Sequence, residues 1–211
     1  MSVKDEEFKT KIYDLMNGSY NLEEYPVAES SLVKDEFAEG EYCEKLYSQM
    51  LEAYAEHVEG ADASNREGHA AKVYFGGLFG VGFTRGDGCA INQALNFGYA
   101  ILLSAFNREI VANGYVTQLG VFHDNMLNPF NLACDLMEPY RPLIDRLVYD
   151  LRPKEMNKEV RLALIDVLNR KVTISQSRQY VSNAIKIYCK SVFRALEEND
   201  MEELRFYSDE L

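Results

Sequence analysis

Asp135 and Glu138 stand three residues apart in a segment with helical periodicity, so one helix face would carry both carboxylates. Paired carboxylate oxygens can face a single hard divalent cation. Helices also bring acids together by chance, and a solvated acidic face is the plainer explanation, because charged side chains are mostly exposed. His123 follows Gly120, Val121 and Phe122 and precedes Asp124 and Asn125, which places an imidazole in a polar loop or at a helix start. Such a ring is either a hydrogen-bonded structural group or a ligand for a transition metal. Glu67 completes an S-x-x-E pattern that begins at Ser64, and there a glutamate can satisfy the Ser64 amide as part of a capping box. Carboxylates and an imidazole together suit an octahedral Mn or Mg site. The spacings are long, and on residue types alone both readings of each residue stay open.

The elements that must position these groups read as helices. Apolar residues fall at helical intervals over residues 6–16 and 41–57, the second run carrying Tyr42, Leu46, Met50, Tyr54 and Val58. The stretch between them holds Gly18, Pro26 and many acids and reads as a loop. A new helix begins at Ser64 and runs through Ala70, Ala71, Val73 and Tyr74. Six glycines between Gly76 and Gly88 mark a turn region; no GxGxxG is present and Gly82 is followed by Phe83 rather than Lys, so neither nucleotide fingerprint fits. Residues 90–113 are helical and nearly apolar all round, which predicts the central helix of a bundle, capped at Gly114. Residues 127–151 predict a helix bent near Pro139 and Pro142. Two more helices are expected over 157–170 and 175–198, and no alternating strand pattern of convincing length occurs. The expected class is all-α, a helical bundle.

Charge is unevenly spread. The net charge of -12 argues against a nucleic-acid partner, whose binding is driven largely by Lys and Arg displacing counterions. Residues 1–63 hold 5 bases against 16 acids and residues 195–211 hold 1 against 7, which leaves 64–194 with 16 against 11, a net +5. A mildly basic body between acidic ends keeps a nucleic-acid site possible. The division expected is an acidic helical segment over 1–63 and a helical metal- and DNA-binding domain over 64–211. Cys43, Cys89, Cys134 and Cys189 form no CxxC pair and read as reduced, mostly buried thiols of a cytoplasmic protein. The start is acidic and lacks the order of a signal peptide, and the most apolar stretch is broken by Asn92, Asn96, Asn107, Arg108 and Glu109, so no membrane span is expected.

Three strings carry a resemblance: SNREGHAAKVYF at 64–75, LNFGYAILLSAFNREIVANGY at 95–115 and QLGVFHDNMLNPFNLACDLMEPYRPLID at 118–145. In this order and at these separations the sequence resembles the catalytic, all-helical C-terminal domain of the CRISPR-adaptation integrase of type II systems, the "Cas one" family. The likeness is strong over about 60–151 and looser beyond. It implies Glu67, His123 and Glu138 as catalytic metal ligands, with Asp135 an acidic neighbour in or near the coordination shell. The implied cofactor is Mg2+ or Mn2+. The implied reaction is the joining of 3′-hydroxyl ends of a short DNA duplex (the prespacer) to the ends of a CRISPR repeat by transesterification, together with metal-dependent nuclease activity. Arg66, Lys72, Arg85, Arg108, Arg141 and Arg178 are then candidates for phosphate contacts, and Tyr74 or His69 for orienting DNA, although Arg141 can equally pair with Glu138.

The resemblance also implies double-stranded DNA, the small "Cas two" protein and a second copy of the chain as partners. The family's N-terminal β-rich domain, which builds the homodimer, finds no match in residues 1–60, so the homodimer is expected to be weakened. Three readings follow: a shortened integrase that still cuts or joins DNA, a catalytically lapsed module that binds within or regulates the adaptation complex, or a domain whose acidic first 60 residues cover its basic face as a DNA mimic. Solvation of that acidic stretch is the plainer account.

Overall fold

A computed structural model describes residues 66–80 and 82–208, with side chains from residue 71 onward. The expected helices over 6–16 and 41–57, the Ser64 cap and the boundary at residue 63 lie outside the described residues. Helix α1 spans Arg66–Phe79 and α2 spans Ala90–Ala112. Helix α3, Asn131–Met137, runs through a 3-10 turn at Glu138–Tyr140 into α4, Arg141–Leu151. Helix α5, Lys158–Ile165, tightens into a 3-10 turn at Asp166–Asn169. Two strands follow, β1 at Lys171–Ile174 and β2 at Ser177–Tyr180. The chain then enters α6, Val181–Glu198, and ends its described course in β3, Tyr207–Ser208.

The fold is predominantly helical and α2 is its axis. Leu95, Leu102, Phe106 and Ile110 of α2 are 0% exposed, and α3, α4, α5 and α6 all pack against it. The near-continuous apolar character of 90–113 has that cause: most of the helix's circumference meets a neighbour. Gly98 lets α4 come close, because a Cβ at this position would collide with the buried Ile144 side chain. The proline pair bends the α3–α4 segment where expected, Pro139 falling inside the 3-10 turn and Pro142 in the first turn of α4. Tyr140 projects from that bend into the core and meets Phe106 and Tyr188 edge-on or tilted at 5.2 and 5.6 Å between ring centroids.

The all-α class holds, with one addition that no strand pattern in the sequence signalled. A three-stranded antiparallel sheet of order β2-β1-β3 lies beside α6, with Lys171 opposite Tyr180 and Ile174 opposite both Ser177 and Tyr207. Its strands have only four, four and two residues, and the β1–β2 turn uses Ser175 and Gln176 at positive φ rather than Asn-Gly, so neither signal of a hairpin shows in the sequence. The helix expected from residue 175 therefore starts at Val181. Among the described residues no helix is long and apolar enough to cross a membrane. Cys189 is buried, Cys134 half-buried and Cys89 exposed, all as free thiols. The exposure of Cys89 departs from the expectation of mostly buried cysteines.

Candidate metal centre

His123 is set by a loop that folds back onto α3. Thr117 Oγ1 donates to the Pro129 carbonyl at 2.7 Å, and Asn131 Nδ2 donates to the carbonyls of Gln118 and Asn125, both at 3.0 Å. Asn125 and Asn128 each turn the chain by accepting from the amide two residues on, at 2.9 and 3.0 Å. These short polar side chains replace the backbone ladder that a loop lacks. The cluster of asparagines in the sequence is thus a brace.

Asp135, 0% exposed on α3, holds the imidazole end of that loop. Its Oδ2 accepts the Val121 and Phe122 amides at 2.5 and 3.1 Å, and its Oδ1 accepts the His123 amide at 3.1 Å and meets His123 Nδ1 at 2.5 Å. An oxygen that already receives an amide is the acceptor, so Nδ1 donates, and in the neutral ring Nε2 keeps its lone pair. The hydrogen bond to Asp135 raises the His123 pKa above its usual value, with partial burial pulling the other way. Asp135 therefore orients the ring from behind. Asp135 and Glu138 stand three residues apart as the sequence has them, but the oxygens of Asp135 are taken up by the loop rather than turned with Glu138 toward one cation.

Glu138, 5% exposed, opens the 3-10 turn and pairs with Arg141 at 2.7 Å, the alternative open for that arginine. The Arg141 guanidinium lies 5.2 Å from the centroid of the Tyr99 ring, and that of Arg85 lies 5.4 Å from the same ring. Arg85 also donates to Asn92 and, at 2.8 Å, to Asn96. Asn92 in turn donates to the carbonyls of Thr84 and Asp87, which pins the glycine-rich turn to the start of α2. That turn is more than punctuation: it carries Arg85 to the Tyr99 ring, which Arg141 also meets.

Glu67 lies in the first turn of α1, and its side chain, with those of Arg66 and His69, is outside the described residues. Among the described residues, no three His, Cys, Asp or Glu side chains converge as a metal cluster. Lys72 is exposed. Arg108 lines a groove with Phe97, Ile101 and Leu168, and Arg178 a concavity with Phe206 and Ser208, so the structure does not gather these two with Arg85 and Arg141. Tyr74 is 6% exposed and donates to Asp145 at 3.0 Å, a place inside the fold rather than against DNA.

Two residues of this region escape a reading by residue type. A Cβ at Gly120 would collide with the His123 carbonyl oxygen and stand 2.7 Å from Asp135 Oδ2. Gly120→Ala is expected to cost about 1–3 kcal/mol, because neither the backbone nor the buried carboxylate can yield. A thermal or urea midpoint equal to that of the parent would refute this. Asp145, 1% exposed on α4, accepts from Tyr74 and Tyr99, partners that residue type and spacing do not signal.

Residues 34–162 match the family model described as CRISPR associated protein Cas1. The chain belongs to the Cas1 family. It is 37% identical over 166 residues to the CRISPR-associated endonuclease Cas1 of Neisseria meningitidis serogroup C (strain 8013), a match covering 76% of this chain and 54% of that protein. A Cas1 endonuclease of Francisella tularensis subsp. novicida (strain U112) is 31% identical over 144 residues, 63% of this chain and 45% of its own. The chain thus spans about half the length of these Cas1 relatives. Among solved structures, a casposase bound to integration product superposes with a TM-score of 0.63 at 19% identity, covering 94% of this chain and 67% of that one. A Cas6-RT-Cas1--Cas2 complex gives 0.70 at 16% identity, covering 99% and 26%. A CAS1 protein from Thermotoga maritima gives 0.62 at 15% identity, covering 93% and 65%. These likenesses show the Cas1 helical fold.

Proposed function

We propose that this chain carries divalent-metal-dependent cutting and joining of DNA strands in CRISPR adaptation, with Glu67, His123 and Glu138 holding Mn2+ or Mg2+. The observation that supports it most is the His123–Asp135 pair: a buried carboxylate fixes Nδ1 and leaves Nε2 on a side chain that is 37% exposed. This is the arrangement by which proteins present an imidazole to a metal. The donor set fits such an ion, since an imidazole with carboxylate oxygens suits Mn better than the sulfur-seeking metals. When bound, the ion would supply charge stabilisation for the phosphodiester oxygens and the leaving oxygen.

The chain's own residues would do the rest. Asp135 keeps the ring in one tautomer and one orientation, and Arg141 partly neutralises Glu138. Of the bases whose side chains are described, Arg85 and Arg141 are the best placed for phosphate, because both lie at the Tyr99 ring and Arg141 pairs with Glu138; Lys72, Arg108 and Arg178 would act farther out, and Arg66 is proposed with them on the resemblance alone. The proposed partners are prespacer and repeat duplexes, the Cas2 protein and a second copy of the chain. They are supported by family membership and by neighbours whose names include a casposase bound to integration product and Cas1 in complex with Cas2.

Mn2+ titration by calorimetry tests this reading. Glu67→Ala and His123→Ala should each weaken binding by more than about tenfold, since loss of the groups that merely orient metal ligands already costs about 10–100-fold. Mn-dependent cleavage of duplex DNA should vanish with His123→Ala. Binding that is indifferent to both changes would sink the metal assignment.

A further inference from the structure

Asp145 is the most deeply placed acid of this region that the proposed chemistry leaves unused. It joins three helices. Tyr74 of α1 donates to its Oδ2 at 3.0 Å, Tyr99 of α2 donates to its Oδ1, and its own backbone belongs to α4. A buried carboxyl without donors is costly, so these two hydroxyls are in effect obligatory and their positions are tied to one another. Both ties lead to the metal centre. Tyr74 stands seven residues after Glu67 on α1, two helical turns away on the same side, so whatever holds Tyr74 sets the rotation and advance of the helix that carries Glu67. Tyr99 offers its ring to Arg141, which pairs with Glu138, so the hydroxyl at one end of that ring sets the tilt of the surface on which Arg141 rests. Arg85 at the same ring adds a second cation to the cluster.

We propose that Asp145 is a positioning residue for the metal-binding carboxylates, setting through the Tyr74 and Tyr99 hydroxyls where α1 and the Arg141–Glu138 pair lie. The inference rests on the reading of Glu67, His123 and Glu138 as a metal site. It names a device separate from the Asp135 brace: Asp135 orients the imidazole, whereas Asp145 orients the carboxylates. A metal site needs its ligands held to within a fraction of an ångström, so loss of one hydroxyl that leaves the ring in place should loosen the geometry without emptying the core.

Tyr74→Phe and Tyr99→Phe keep the packed rings and remove only the donors, and Asp145→Asn keeps the shape. Each is titrated with Mn2+ by calorimetry and its thermal midpoint recorded, and Tyr99→Phe is repeated in a Glu138→Gln background. Both tyrosine variants are expected to bind Mn2+ about tenfold more weakly while remaining folded, and Tyr99→Phe is expected to lose most of that effect once Glu138 is already replaced, since coupled residues are non-additive. Lowered midpoints with unchanged Mn2+ affinity would make the cluster a purely structural clamp and overturn the proposal. An equal loss in both backgrounds would equally overturn the route through Glu138. If Glu138→Gln alone binds Mn2+ like the parent, the metal-site reading itself has failed, an outcome visible without the tyrosine variants.

Discussion

Asp135→Ala is expected to destabilise the fold by about 3–4 kcal/mol and to abolish ordered presentation of His123. The carboxylate serves the amides of Val121, Phe122 and His123 and the His123 ring nitrogen. Each buried donor left without a partner costs about 1–3 kcal/mol, and water reaching the outer ones recovers part of the sum. His123→Ala removes only one of the four donors and should cost less than about 1 kcal/mol, because its side chain is partly exposed. Urea denaturation of both variants separates the cases. Equal midpoints would mean that the loop holds its shape without the buried acid.

The second large effect is on stability as a function of pH. Burial pushes the Asp145 carboxyl up to about 7, against the pull of the Tyr99 and Tyr74 hydroxyls and of Arg141 and Arg85. A carboxyl that holds its proton more tightly in the folded than in the unfolded chain stabilises the fold at acid pH and loses that contribution as pH rises towards its folded pKa. Between pH 5 and pH 8 the loss should be about 2–3 kcal/mol, at about 1.4 kcal/mol for each pH unit crossed below 7. An asparagine does not titrate. Asp145→Asn should therefore gain on the parent by that amount over the interval, measured as the difference between their unfolding free energies at each pH. A difference that stays flat from pH 5 to 8 would show that Asp145 is ionised throughout.

The two buried acids have different donors. Asp135 meets three backbone amides, fixed donors built into the turn of the loop, whereas Asp145 meets two phenols and, farther off, two guanidiniums. Neither difference is visible in residue type. Both acids fall inside one string of the sequence, and the burial of each follows only from the fold.

The residues of the candidate centre came from the resemblance, whereas the sequence by itself determined the predominantly helical class, the central place of 90–113 and the bend at Pro139 and Pro142. These rest on local rules: a 3.6-residue period marks which face is buried, and proline breaks the ladder wherever it stands. The glycine-rich turn, the asparagine cluster and Gly120 were visible as residues but not as a brace, because their partners are carbonyls and carboxylates that neighbour them only after folding. The hairpin was hidden by its four-residue strands and a turn without glycine. Only the tertiary structure decided that Asp135 lies behind His123 rather than facing a ligand, that Arg141 takes Glu138, and that Tyr74, Tyr99 and Asp145 meet across separations of 71 and 46 residues. Contacts of that span depend on how close two helices come, and here a single residue without a side chain, Gly98 against Ile144, sets the approach of α2 to α4.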